Sequence, residues 1–271
     1  MNLDGKVVVV TGSTRGIGRA IAAQAAVLGA TVVVSSRTDG AVEQAVAELS
    51  ARGASVSGCV ANVAHWEEVE ALKTHAIGTH GSIDVWINNA GVSNGYRPLD
   101  EESNSELHDL ITINVLGTVY GAKAMVPYFR EHGGYLLNLC GRGWKGEATP
   151  FTAAYAASKA AVASLTRSLA AENRDVSTLS INAFVPGMVD TDFYSDMTVS
   201  PRLEATAGNV RLALEAFGTP LSEVGERAAA LIAEQPGKTT GHIYAMLTPG
   251  RLARGGAKMA WWGATGRMKR G

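Results

Sequence analysis

Residues 6–18 read Lys6-Val-Val-Val-Val10-Thr11-Gly12-Ser13-Thr14-Arg15-Gly16-Ile17-Gly18, and a helical pattern follows at once. Four valines in a row, with no polar alternation, fit a parallel strand that helices cover on both faces. Gly12 allows a tight turn out of that strand, Gly16 lets the backbone approach a pyrophosphate, and Gly18 lets the new helix pack closely on the strand. Phosphates would then sit at a helix N-terminus, where free N–H groups and the helix dipole favour anions. Strand, glycine cluster and helix in this order form the context that a dinucleotide-binding turn requires.

Similar β-branched runs recur at Thr31–Ser35, Ser55–Val60, Ile83–Ile87, Tyr135–Cys140, Thr178–Phe184 and His242–Met246. Between them lie stretches rich in Ala, Leu and Glu, all good helix formers: Gly16–Leu28, Gly40–Arg52, Trp66–Ile77, Ser103–Arg130, Ala153–Asn173 and Leu221–Glu234. The alternation predicts an α/β fold, a single doubly wound Rossmann domain with a seven-stranded parallel sheet, over residues 1–250. One stretch, Val189–Thr219, breaks the rhythm before a helix announced by Thr219-Pro220. A long excursion after a strand's carboxyl end tends to lie over the ligand crevice, so residues 189–219 are expected to be a substrate lid, with a solvated surface insertion as the alternative. Residues 251–271 hold six Lys/Arg, no acidic residue and the pair Trp261-Trp262. They read as a basic C-terminal tail that packs across a subunit boundary or frays, in preference to one that touches an anionic membrane.

The chain's 271 residues, 46% of them hydrophobic, can bury a large core without a disulfide or metal staple. Its 24 Lys+Arg against 25 Asp+Glu give no electrostatic footprint for nucleic acid. The 31 glycines show no three-residue period, which excludes a collagen-like chain and leaves glycine-dependent turns to be explained. Cys59 and Cys140 cannot build a disulfide framework, and both sit in apolar runs, so a reducing compartment is expected. No signal-type leader precedes Lys6 and no apolar segment approaches the ~20 residues of a bilayer span, so a soluble cytoplasmic protein is expected. His75 and His80 share no helical face and no His-Glu-x-x-His pattern occurs, so no metal site is predicted.

The spacing Thr11-Gly12-x-x-x-Gly16-x-Gly18 resembles the short-chain dehydrogenase/reductase family. So do Asn88-Asn89-Ala90-Gly91 after the fourth strand, Asn114 in a helix, Tyr155-x-x-x-Lys159, and Pro186-Gly187 with Thr191 after the sixth strand. The resemblance implies a nicotinamide cofactor held by Gly12, Ser13, Thr14, Arg15, Gly16, Ile17, Gly18, Ser36, Arg37, Asn62, Val63, Asn89, Ala90, Gly91, Tyr155, Lys159, Pro186, Gly187, Val189 and Thr191. The second strand ends Ser35-Ser36-Arg37. A carboxylate there would bond the ribose hydroxyls and repel a 2′-phosphate, whereas neutral Ser36 and basic Arg37, with Arg15 in the turn, suit the phosphate, so NADP(H) is expected. Asn62 stands where the family usually has Asp. The stretch Ser103–Arg130, with Val115, Val119 and Met125, resembles the family's dimer helix, which implies a homodimer or homotetramer.

Tyr155 and Lys159 are spaced i, i+4, so a helix projects both from one face. A free phenol has a pKa near 10, and an ammonium about 5 Å away at an effective dielectric of about 20 contributes on the order of 3 kcal/mol, about two pKa units. The resemblance supplies the roles: Tyr155 donates a proton to a carbonyl oxygen as hydride arrives, Lys159 assists it and binds the nicotinamide ribose, and Asn114 holds the water that links Lys159 to solvent. The substrate class implied is a small-molecule carbonyl or alcohol.

The family normally ends its fifth strand in Asn-x-Ser-Ser, the second serine polarising the substrate oxygen. Here the stretch reads Asn138-Leu139-Cys140-Gly141-Arg142-Gly143, with Gly141 in the serine's place and one extra residue before Tyr155. Three consequences compete: reduction with Tyr155 as the only side-chain donor, helped by the Gly141 or Arg142 N–H or by Thr149 or Thr152; a redox-neutral reaction; or nucleotide binding without turnover. Loss of one oxyanion donor costs about 10²–10³ in rate, which a new donor can offset. Cys140, with no His near it in sequence, is expected to be buried and not a nucleophile. Thr149-Pro150-x-Thr152-Ala153-x-Tyr155, Pro186-Gly187-Met188-Val189-x-Thr191-Asp192 and Leu247-Thr248-Pro249 resemble the chlorophyll b reductase branch, whose members also lack the serine. That implies a serine-free reductase acting on a bulky apolar aldehyde or ketone.

Overall fold

A computed structural model describes residues 2–192 and 197–265, with backbone alone at 204–210. Seven strands, β1 (Val7–Thr11), β2 (Thr31–Ser36), β3 (Val56–Val60), β4 (Val85–Asn88), β5 (Gly134–Leu139), β6 (Leu179–Val185) and β7 (Ile243–Ala245), form one sheet. All pair in parallel, in the order β3-β2-β1-β4-β5-β6-β7. The order reverses between β1 and β4, and the crevice beyond the carboxyl ends of these two strands is where such sheets take ligands.

The valine run explains why helices cover both faces. Val8 and Val10 face one apolar layer with Val32, Val34, Ile87 and Leu137, while Val7 and Val9 face the other with Val33, Trp86 and Leu136. The first layer is closed by α1 (Gly16–Val27), α2 (Asp39–Ser50) and α8 (Leu221–Ile232), the second by α3 (Trp66–His80), α5 (Gly117–His132) and α6 (Ala153–Glu172). Each fully buried valine of β1 contributes about 1.5–3 kcal/mol. A one-residue register slip would exchange the two layers.

Five features differ from the sequence reading. The single helix expected over Ser103–Arg130 is α4 (Asn104–Ile111), opened by a capping box between Ser103 and Glu106, then a π-helical turn at Thr112–Leu116, then α5. Met125, expected on a dimer face, is fully buried in the core. By length and composition alone the continuous stretch Asn104–His132 is long and apolar enough to cross a membrane, which the sequence reading missed, but half of its most apolar window is buried inside the protein. The fourth concerns the basic tail: residues from Pro249 to Ala264 form helix α9, capped by Thr248. This helix packs on α7 (Glu204–Phe217), where Gly255 lies against Phe217, and Trp262 is buried. Arg251 bonds Glu223 and, at 3.2 Å, Thr219. Residues 266–271 of that tail lie outside the described residues.

Helix α7 was also not anticipated inside the 189–219 excursion, of which residues 193–196 lie outside the described residues. Among the described residues the excursion is tied down at its base and at Val199. The Thr219 N–H donates to the Met188 carbonyl at 2.7 Å, closing its base, and Val199 bridges to Tyr96 in the loop after β4.

Candidate active site

The cleft is assembled from the loops that leave β1, β4, β5 and β6, and Thr11 starts it. Its hydroxyl donates to the Ile87 carbonyl and accepts the N–H groups of Asn89 and Ala90, at 3.0 and 3.1 Å, which welds the end of β1 to the end of β4. The Asn89 side-chain amide donates to the carbonyls of Thr11 and Gly12, each at 2.9 Å. This leaves no room for a side chain at Gly12 or Gly18. A Cβ on Gly12, whose φ is +62°, would lie 2.8 Å from Ala90 Cα, and one on Gly18 would lie 2.3 Å from Asn89 Nδ2. Glycine at 18 is therefore dictated by the asparagine that braces the turn together with the Gly12 carbonyl, 2.4 Å from the same point.

The turn ends in the N-terminus of α1, which has no side-chain cap and no acidic residue in its first turn. A helix start with no side-chain cap and no carboxylate in its own first turn suits a phosphate. Ser13, expected among the cofactor contacts, is fully buried: its hydroxyl donates to the Val10 carbonyl and accepts the Ser35 N–H, so its side chain holds β1 to β2. Ser36 and Arg37 stand at the carboxyl end of β2, with Arg37 exposed and, among the described residues, in no ion pair. Arg15 reaches the start of the long excursion, 3.3 Å from Asp192. Both of that pair's side chains are more than half exposed, so the pair is worth little to stability. Thr191 lies beside Gly16, its methyl 3.8 Å from where a Cβ would be. Gly187 (φ +81°) and the buried Val189 lead the chain there from β6.

Asn62 and Val63 lie beyond β3. The Asn62 side-chain carbonyl accepts the Ala64 N–H at 3.1 Å, closing a short turn, and Val63 packs against Gly117.

Asn114 sits in the π-helical turn, an irregularity that often marks functional sites. Fully buried, it accepts the Val92 N–H at 2.8 Å through Oδ1, donates to the Val92 carbonyl at 2.9 Å, and donates to Ser158 Oγ at 3.1 Å. It thereby pins the loop after Gly91 to α6. A Cβ on Gly91 would lie 3.1 Å from Asn114 Oδ1 and 3.4 Å from Lys159 Nζ, so that glycine marks the point where loop, π turn and lysine meet.

A buried polar chain locates α6 against the sheet. Asn88 Nδ2 donates to Asn138 Oδ1, and Asn138 Nδ2 donates to Thr166 Oγ1, both at 2.9 Å. With these groups satisfied, the chain fixes the helix in one position. Tyr155 and Lys159 then project from one face, as their spacing predicts. Lys159 Nζ lies 5.6 Å from the Tyr155 ring centroid and donates to the Leu139 carbonyl at 3.2 Å. Lys159 is 6% exposed, and burial pulls its pKa below the usual lysine value.

At the fifth-strand exit, where Gly141 carries no hydroxyl, some of the candidate substitutes are already engaged. The Thr152 hydroxyl donates to the Thr149 carbonyl at 3.3 Å, and Thr149 is itself buried. Cys140 is buried among Val162, Ala163 and Val185, and burial pushes its thiol up to about 11, which makes it a core residue and no nucleophile. Gly141 lies directly against the phenol: a Cβ there would sit 2.4 Å from Tyr155 Oη. Sequence reasoning missed Thr11, Asn138 and Ser158. They act by holding other residues, and only their place beside the motif residues could have pointed to them.

Comparison with known proteins bears on this arrangement. Residues 6–200 match the family model for short chain dehydrogenases. The chain is 40% identical over 193 residues to a chloroplastic chlorophyll(ide) b reductase of Oryza sativa subsp. japonica, and 35% identical over 204 residues to a probable one of Arabidopsis thaliana. Each match covers 68% of this chain, and the chain spans 56% and 41% of those two proteins. It is 33% identical over 245 residues to 3beta-hydroxysteroid dehydrogenase 1 of Eggerthella lenta, covering 89% of this chain and 91% of that one. Among solved structures, a putative NAD(P) dependent gluconate 5-dehydrogenase from Beutenbergia cavernae with bound NADP superposes with a TM-score of 0.79 at 29% identity, over 93% of this chain and 98% of that one. A variant actinorhodin polyketide ketoreductase with NADPH gives 0.78 at 27% identity, over 89% and 95% of the two chains.

Proposed function

The chain belongs to the short-chain dehydrogenase/reductase family, on its chlorophyll b reductase-like side, and from that premise we propose that it is an NADP(H)-dependent oxidoreductase interconverting a carbonyl and an alcohol. One observation carries the reading: Asn114 and Lys159 meet beside Gly91, and the Nζ of the buried lysine lies 5.6 Å from the Tyr155 ring centroid. A nicotinamide cofactor, when bound, supplies or accepts the hydride. The uncapped N-terminus of α1, the side-chain-free turn at Gly12, Gly16 and Gly18, and Thr191 beside it fit its phosphates, and Arg37 with Arg15 fits a 2′-phosphate. Thr14, Ile17, Ala90, Pro186 and Val189 line the approach as backbone and packing positions.

Tyr155 acts as the acid/base: its phenol donates a proton to the carbonyl oxygen in reduction and takes it back in oxidation. A positive charge on Lys159 favours the phenolate through space, and its remaining N–H bonds are available to ribose hydroxyls. Asn114, by tying the loop after Gly91 to α6, keeps the route from Lys159 to solvent in one geometry. The relatives' named activity supports reduction of a bulky apolar aldehyde or ketone as the reaction, with the described part of the 189–219 excursion as its proposed cover. Ile111 and Leu116, partly exposed along the helical stretch, offer a subunit contact for a homodimer or homotetramer. The free thiols of Cys59 and Cys140 fit a reducing compartment such as the cytoplasm.

Purified protein mixed with NADPH and a panel of aldehydes and ketones tests the reading. Oxidation of NADPH by at least one, lost in Tyr155→Phe, is the expected result. The glycine in the serine's place favours a second reading, nucleotide binding without redox turnover: tight NADPH binding with no oxidation by any substrate would select it.

A further inference from the structure

We propose that Gly141 is a positioning residue: the absence of its side chain is the seat of the Tyr155 hydroxyl, so the site is built around the phenol alone. This deepens the reading above and rests on Tyr155 being the proton donor. A Cβ at 141 would lie 2.4 Å from Tyr155 Oη, 3.2 Å from its Cζ and 3.3 Å from Lys159 Cγ. No real Cβ tolerates the first of these contacts, so something would have to move.

The surroundings decide what moves. The backbone before Gly141 is fixed by the Cys140 N–H, which donates to the Phe184 carbonyl at 2.9 Å, and by the burial of Cys140 in the core. The backbone after it is fixed because Gly143 lies on α6, where a Cβ would meet that of Ala156 at 2.4 Å. Helix α6 is held in turn by the Asn138–Thr166 hydrogen bond and by Lys159 on the Leu139 carbonyl. What the Cβ meets first is the tyrosine hydroxyl, so the ring is the group it would push.

The backbone itself does not ask for glycine at this position. Gly141 is absent from the positive-φ glycines, so its conformation admits any L-residue. The neighbour that excludes a side chain is the phenol. It follows that a serine restored at 141 displaces the acid/base group instead of adding a second donor to it.

The test uses Gly141→Ala, Gly141→Ser and each combined with Tyr155→Ala. We expect Gly141→Ala to lower the melting temperature in the wild-type background and to do so much less beside Tyr155→Ala, because the atom it meets is then gone. NADPH affinity should stay within about 3-fold in Gly141→Ala, a change of under about 1 kcal/mol. Ultraviolet difference titration against Tyr155→Phe should show the Tyr155 midpoint raised by about half a unit or more, as the phenol is pushed from Lys159. With a substrate in hand, kcat should fall about 10²-fold for alanine and serine alike. Equal melting losses in both backgrounds, an unmoved titration midpoint in Gly141→Ala, or a Gly141→Ser enzyme faster than wild type would each overturn the proposal. If no carbonyl is turned over by any form, the reductase reading fails by itself, while the melting and titration results still decide the role of Gly141.

Discussion

Arg37 stands exposed at the end of β2 beside the neutral Ser36, and a 2′-phosphate placed there gains a charge-assisted contact that a bare ribose lacks. Such a contact is worth about 1.5–3 kcal/mol. Arg37→Asp should therefore weaken NADPH binding by about 10- to 100-fold and leave NADH binding unchanged or tighter, and calorimetric dissociation constants for the two cofactors check both halves. At Tyr155 the expected pattern is the opposite. Tyr155→Phe removes the proton that a carbonyl oxygen needs and keeps the ring against Gly141, so kcat should drop by about 10²–10⁴ while NADPH affinity holds. Single-turnover absorbance of NADPH separates these effects. Residues of this kind were legible in the sequence because each carries its chemistry in its own side chain at a fixed spacing from its partner. Gly141 was legible only as a missing hydroxyl. That its place is filled by the phenol depends on a helix and a strand that no local pattern relates.

Thr11 shows how one side chain binds two elements together. Its hydroxyl serves the Ile87 carbonyl and two amides of the loop after β4. Thr11→Val keeps the volume and leaves those amides without their acceptor, at a cost of about 1–3 kcal/mol. Urea denaturation should show this loss, and the loosened turn should also bind NADPH more weakly. The strands themselves were legible to within a residue or two, since uninterrupted β-branched runs admit little else in a parallel sheet. The π-helical turn was not, because Thr112–Leu116 continues the helical period on both sides and its extra residue is visible only in the hydrogen bonding. Helices α7 and α9 were not legible for a different reason. They cover each other across a sequence gap, Phe217 against Gly255, and α9 is rich in Gly and basic residues that suggest a tail. Its order comes from Trp262 and from the bonds of Arg251 to Glu223 and Thr219.

At the scale of the whole molecule, the site is a cost carried by the fold. Lys159 lies in the packed interior between α6 and β5, with one hydrogen bond to the Leu139 carbonyl, and burial lowers its pKa from the unfolded value of 10.5. The sign follows from proton counting. Below the folded-state pKa the lysine is charged in both states and the folded protein bears the full desolvation penalty. Between that pKa and 10.5 the unfolded chain binds more protons, so stability rises with pH until the penalty is gone. Lys159→Met fills the same space without a charge and leaves only the Leu139 carbonyl unpaired. It should stabilise the cofactor-free protein near neutral pH by about 1–3 kcal/mol, as apolar replacements of buried charges often do. The difference between variant and wild type, read from melting temperatures across alkaline pH, should shrink steadily as pH approaches 10.5. NADPH should narrow it as well, because ribose hydroxyls would satisfy the ammonium in wild type and find no partner in the variant. Turnover should be lost in the variant. A Lys159→Met protein that is less stable than wild type at neutral pH, with a pH-independent difference, would mean that the fold needs this lysine for its own sake, and the assignment of its burial to catalysis would fall with that result.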